Sequence, residues 1–219
     1  MERVIPERFL NEEHSLADFR RWAVINSLGA QGIATAPDIN DYYRQNIRET
    51  RAVIVDLLAE DIVTKLSVSG WEEAAFALSD DLKTIEKLAD KPAVSTVSTF
   101  LSPFDNLIWF RERMERLFGL RFRIEMYTPK AERNHGYYTM PILHGNRIVG
   151  IADPKVDRKS RTMTVHSINL LPDVKINDDL FVGLSKAIEE LAAFTDCDKV
   201  ELTRTTPAAL KNEIELFRH

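Results

Sequence analysis

The feature that most constrains the fold is a change of hydrophobic period inside the segment 15–78, where three stretches with helical spacing give way to a pair that alternates residue by residue. The stretch HSLADFRRWAVINSLG places Leu16, Phe19, Trp22 and Ala23 on one helical face, and Gly29 supplies a stop. A second helix is predicted to start at Thr35, with Pro37 in its first turn and Asp38 three residues after the cap, and to end near Tyr43. A third spans Asn46 to Ala59, with Ile47, Ile54, Leu57 and Leu58 as its buried stripe. IVTKLSV and WEEAAFAL then read as strands joined by the two-residue turn Ser69-Gly70. Helix, helix, helix, hairpin is the order of a winged helix-turn-helix.

Beyond the hairpin, Ser79 is placed to cap a helix that carries Asp80 and Asp81 in its first turn and Leu82, Ile85 and Leu88 on its apolar face. Lys91-Pro92 ends it, and the polar, β-branched AVSTVST reads as an extended linker. The expected organisation is a first module at 1–92, a linker at 93–101 and a second module at 102–219. Ser102, Pro103 and Asp105 look like a capping box for the helix NLIWFRERMERLF. Strands follow in LRFRIEMY, YYTMPIL, RIVGIAD and TMTVHSINL, with His144-Gly145-Asn146 as a tight turn. The tail reads as helix, strand, helix, so the expected class is α+β.

Net charge is −5, which by itself argues against nucleic acid as a partner. The distribution argues the other way. Between Lys130 and Arg161, Lys130, Arg133, Arg147, Lys155, Arg158, Lys159 and Arg161 face only Glu132, Asp153 and Asp157, a local excess of four positive charges. A single cysteine, Cys197, cannot form an internal disulfide, and the five histidines show no ligand spacing, so neither a metal nor another cofactor is expected. No apolar run is long enough to span a membrane and the N-terminus lacks a signal-peptide core, which sets a cytoplasmic, nucleoid-associated location as the expectation.

The stretch SPFDNLIWFRERMERLFG and the run KAERNHGYYTMPILHGNRIVGIADPKVDRKSRTMTVH carry distinctive pieces: SPFDN, ERLFG, GYY, LHGNRIVG and DPKVDRK. Over this length the chain resembles the C-terminal half of the YcaQ/AlkZ-like crosslink-repair DNA glycosylases. The resemblance implies tandem winged helix-turn-helix modules with β-hairpin wings, and duplex DNA, damaged or intact, as the partner. In relatives ERVIPERFL lies in mid-chain, so the resemblance also implies a fragment, or a shortened homologue, that lacks an N-terminal glycosylase domain. Two positions depart from the pattern: Ile151 stands where relatives often carry a basic residue, and Phe110 at a commonly polar position.

Candidate DNA contacts fall in two groups. Arg44, Arg48 and Arg51 share a helical face on the predicted third helix, the element that enters the major groove in a helix-turn-helix. Lys155, Arg158, Lys159 and Arg161 crowd one hairpin turn, with His144 and Arg147 at the other, and in relatives a hairpin of the C-terminal module engages DNA. The Lys155–Arg161 cluster is expected to outrank the helix, because Glu49 and Asp56 dilute the arginine stripe. His135 with Tyr137 or Tyr138 is a candidate for stacking on a base, only one tyrosine sharing a face with the histidine if the segment is a strand.

Hydrolysis of an N-glycosidic bond needs groups that stabilise a cationic sugar and position a water. In the resembled family a Gln-apolar-Gln or Gln-apolar-Asp motif does that work. The two glutamines here, in Gln31-Gly32-Ile33 and Gln45-Asn46-Ile47, do not fit it, so no catalytic residue is assigned. Two rival readings remain. One is an active glycosylase using another carboxylate such as Asp105, which its place after Ser102 otherwise explains as a cap. The other is a transcription regulator or protein-interaction module on the same fold.

Overall fold

The computed structural model describes residues 14–93, 95–133 and 136–216, so ERVIPERFL, His135 and His219 lie outside the described residues. The chain divides into two compact units, Met1–Pro92 and Ala93–His219. Both helices and sheets are present, in agreement with the α+β class. Among the described residues no helix is long and apolar enough to cross a membrane.

In the first unit, α1 (Leu16–Gln31) starts at a reciprocal cap: the Asp18 N–H donates to Ser15 Oγ and the Ser15 N–H to Asp18 Oδ2, both at 3.1 Å. It runs through Gly29 and stops at Gly32, whose φ of 69° suits a residue without a Cβ. The buried face is Ala23, Val24, Ser27 and Leu28, not the expected stripe through Leu16, Phe19 and Trp22. The aromatic residues instead associate with one another at the surface, Phe19 with Trp22 at 5.9 Å and Trp22 with Tyr43 at 5.1 Å between ring centroids.

The two-residue β1 (Ala34–Thr35) leads into α2 (Ala36–Tyr42), which begins with the expected box: the Thr35 N–H donates to Asp38 Oδ2 at 2.9 Å, and Pro37 sits in the first turn. Asn46 caps α3 (Ile47–Ala59) through a 2.9 Å bond from the Arg48 N–H. Ile54 and Leu57 of α3 meet Val24, Leu28 and Ile39 in one core. The sheet has the order β1-β3-β2, with β2 (Val63–Leu66) antiparallel to β3 (Ala75–Leu78). Pairing ends at Leu66 and Ala75, so residues 67–74 form a connection longer than the expected two-residue turn, with Gly70 at φ 81° inside it. The following helix α4 (Leu82–Asp90) is preceded by a 3-10 turn at Ser79–Asp81, and Ser79 Oγ bonds to Thr64 Oγ1 at 2.9 Å rather than capping it.

The second unit is built on a five-stranded sheet of order β4-β5-β6-β7-β8. Its strands are β4 (Ser98–Phe100), β5 (Met140–His144), β6 (Arg147–Asp157), β7 (Thr162–Leu170) and β8 (Lys199–Thr206), antiparallel except for the parallel pair β7-β8. That parallel pair needs a crossover, supplied by α6 (Asp178–Phe194). Leu180, Leu184 and Ile188 of α6 pack with Ile142, Met163, Val165 and Ile168 of the sheet, and α7 (Leu210–Leu216) adds Leu210 and Ile214. A separate cluster joins Ile148 and Ile151 of β6 to Met114 of α5 (Arg111–Phe118) and to Ile108 and Phe122. With Val149 and Ala152 in the first cluster and Ile148 and Ile151 in the other, β6 is apolar from Ile148 to Ala152, where both its faces are covered.

Three local expectations differ. Ser98–Phe100, inside the segment expected as a linker, pairs with β5 as an edge strand. LRFRIEMY forms no strand, and YYTMPIL pairs only from Met140. The helix after SPFDN begins only at Arg111 with no side-chain cap, and Asp105 instead closes a turn, accepting the Leu107 N–H at 2.9 Å. The helix ends at Gly119, φ 66°, whose N–H donates to the Glu115 carbonyl at 2.8 Å.

Candidate nucleic-acid interface

On α3, Arg48 and Arg51 are exposed near the N-terminal end. Glu49 does not lie free between them: it pairs with Arg20 of α1 at 3.0 Å, so its charge is spent within the helix packing. Arg44 is not on the helix. It sits at φ 53° in the turn joining α2 to α3, 3.8 Å from Asp41.

The four cations at the β6–β7 turn are not equivalent. Lys155, Arg158 and Lys159 are exposed. Arg161, in a left-handed conformation at φ 49°, donates to Asp196 Oδ2 at 2.8 Å and to Asp198 Oδ1 at 2.7 Å, and both carboxylates raise its pKa. It ties the hairpin to the approach to β8 and has little field left over. Asp157 accepts the Lys159 N–H at 2.9 Å, and the donors of Lys159 and Ser160 hold its carboxyl below the ordinary range. At the β5–β6 turn Arg147 is exposed, but His144 is not at a tip. Its Nδ1 lies 2.7 Å from Ser98 Oγ and its Nε2 3.3 Å from Asp179 Oδ2, so the ring pins β4 to the start of α6. A Cβ at Gly183 would collide with Ser98, which explains the glycine in the middle of that helix.

The second unit also holds a cleft of about 1250 Å³. Among the described residues Asp153 is the only carboxylate in its lining, and Lys130, Arg133, Lys155 and Arg204 supply four cations. The strand geometry makes the site. Ala152 pairs with Ile168 and Pro154 with Val165, so His166 and Ser167 of β7 together oppose the single residue Asp153. Such a bulge re-aims side chains, and Pro154, which has no N–H to give to a ladder, is suited to it. His166 reaches the same cleft. The main-chain N–H groups of Tyr137 and Tyr138 lie beside the Asp153 carboxylate and favour its ionised form. Gly136, at φ 146°, is required beside it, since a Cβ there would overlap the carboxylate. Burial pushes the Asp153 carboxyl above its ordinary pKa; His166, the two N–H groups and Arg204 act in the opposite direction but do not cancel the shift.

Tyr137 and Tyr138 both line this cleft. The alternation rule does not separate them, because pairing starts only at Met140. The Arg133 guanidinium lies 4.9 Å from the centroid of the Tyr137 ring, and Tyr138 Oη is 3.2 Å from Ser102 Oγ. GYY, DPK and the first residue of SPFDN therefore meet in one place. Sequence reasoning counted Asp153 only as a diluting charge. The signal that could have singled it out is the proline directly after it in a strand-like run. Among the described residues no group of three or more His, Cys, Asp or Glu side chains could hold a metal.

The model of the DNA glycosylase AlkZ-like family matches residues 1–194, and the chain belongs to that family. No solved structure matches it.

Proposed function

We propose that this chain binds duplex DNA with little sequence preference, as a member of a DNA-repair glycosylase family directed at alkylated or crosslinked bases. The first unit is read as a winged helix-turn-helix, with α2, the turn at Arg44 and α3 as the DNA-facing pair and β2–β3 as its wing. Arg48 and Arg51 then face the groove. In the second unit the β6–β7 hairpin serves as a further wing, with Lys155, Arg158 and Lys159 on phosphates and Arg147 at the adjacent turn. This part of the reading takes only the hairpin from a winged helix, since the body of the unit is a five-stranded sheet.

The observation that carries the proposal is the ion pair between Glu49 and Arg20, which removes one of the two acids diluting Arg48 and Arg51 on an exposed helix end. The chain contains no Gln-apolar-Gln or Gln-apolar-Asp sequence, so by itself it engages DNA without releasing a base. Competition with unlabelled duplexes of unrelated sequence tests the reading. Equal competition supports it, and strong preference for one sequence favours a transcription regulator instead.

A further inference from the structure

The cleft beside Asp153 shares only Lys155 with the phosphate contacts assigned to helix and hairpin. We propose that it binds a single nucleotide unit, with the base edge on Asp153, the base plane on Tyr137 and the phosphate on the basic rim, and that guanine is the preferred base. The proposal rests on the DNA-binding reading and specifies which part of a nucleic acid this cleft takes.

An ionised carboxylate has two oxygens with about four lone-pair positions, more than the nearby Tyr137 and Tyr138 N–H groups can fill, and suits a partner with two adjacent donors. Guanine presents an N1–H and an N2 amino group side by side on its Watson–Crick edge, whereas thymine presents one N–H. The raised pKa of Asp153 fits a carboxylate whose own surroundings do not fully compensate its charge. Tyr137 is 53% exposed and already has the Arg133 guanidinium over its ring, and aromatic faces and guanidinium planes are the surfaces on which unpaired bases stack. Lys130, Lys155 and Arg204 place positive charge around Asp153, as an anionic sugar-phosphate requires. Met140, Met163 and Leu191 give the cleft an apolar lining. Its volume of about 1250 Å³ is above the range of about 300–1,000 Å³ usual for small-ligand pockets, so a nucleotide still joined to its neighbours has room.

The test is a titration of the full isotope-labelled chain with deoxyguanosine monophosphate, thymidine monophosphate and inorganic phosphate, following the amides of Gly136, Tyr137 and Tyr138 by NMR. The guanine nucleotide is expected to shift these amides saturably and to bind about tenfold more tightly than the thymine nucleotide, the size of one good paired contact. Asp153→Asn should reduce the guanine nucleotide to the thymine level. Tyr137→Ala, on an exposed ring, should weaken both nucleotides and leave phosphate unchanged, which keeps the test valid if the Asp153 variant folds poorly. Equal affinity for the two nucleotides, shifts no larger than those with phosphate, or shifts elsewhere in the chain would overturn the proposal. Duplex binding measured on the same sample separates the two readings: if it persists while the amides stay silent, only the cleft proposal falls, and if both are lost both fall.

Discussion

Replacing Lys155, Arg158 and Lys159 together by Ser should flatten the salt dependence of duplex binding, whereas Arg161→Ser should leave it nearly unchanged. The distinction comes from geometry: three of these cations are exposed, and the fourth is bound between Asp196 and Asp198. Each phosphate contact contributes about 0.9 to the slope of log affinity against log salt, so three contacts account for about 2.7 units at most. Between about 50 and 200 mM salt this corresponds to a loss of affinity in the wild type about 40-fold greater than in the triple variant. Fluorescence anisotropy with a labelled duplex at four or five salt concentrations measures it, with circular dichroism confirming that each variant is folded. Exposed positions of this kind cost little stability, typically within about 0.5 kcal/mol, so lost binding would not come from unfolding. If Arg161→Ser flattens the slope as much as the triple variant, its aspartate partners do not hold it in solution and the reasoning fails.

Other outcomes follow from the same contacts. Arg48→Ala with Arg51→Ala should lower the salt slope by up to about 1.8 units, and an unchanged slope in anisotropy would remove α3 from the interface. Asp153 has a raised folded-state pKa, so its protonated form favours the fold; that contribution is present below the unfolded carboxylate range and is lost as pH rises through the folded value. Asp153→Asn should therefore melt no lower than wild type at neutral pH and should show a flatter dependence of Tm on pH above about 4, which thermal melts across pH would contradict by showing a lower, steeper curve. Gly136→Ala should destabilise by roughly 1 kcal/mol or more, read from urea unfolding, because the added Cβ meets the Asp153 carboxylate at a positive φ.

What the sequence made legible was local chemistry. Thr35 with Asp38 forms its cap within four residues, so α2 starts where the pattern says. TMTVHSINL is a strand from end to end because its alternation matches a half-covered sheet. The misses depend on partners distant in the chain. The face that α1 buries is set by the rest of its unit, which leaves Phe19 to stack on Trp22, and Trp22 to meet Tyr43, at the surface. Ser98–Phe100 carries no strong strand signal and becomes one only because β5 offers its edge. Arg161 looked like a free cation because Asp196 and Asp198 lie far along the chain. By sequence Asp105, in the strongest motif, stands out over Asp153, yet it closes a turn, whereas Asp153 sits at a bulge beside the Tyr137 and Tyr138 amides.

The central claim is that a chain of net charge −5 binds duplex DNA through local basic surface. Anisotropy of a labelled, undamaged duplex titrated with the purified 219-residue chain at about 50 mM and again at about 200 mM salt tests it most directly. The account predicts measurable binding at the lower concentration and a steep fall at the higher one. No binding at the lower concentration, or an affinity indifferent to salt, would contradict it.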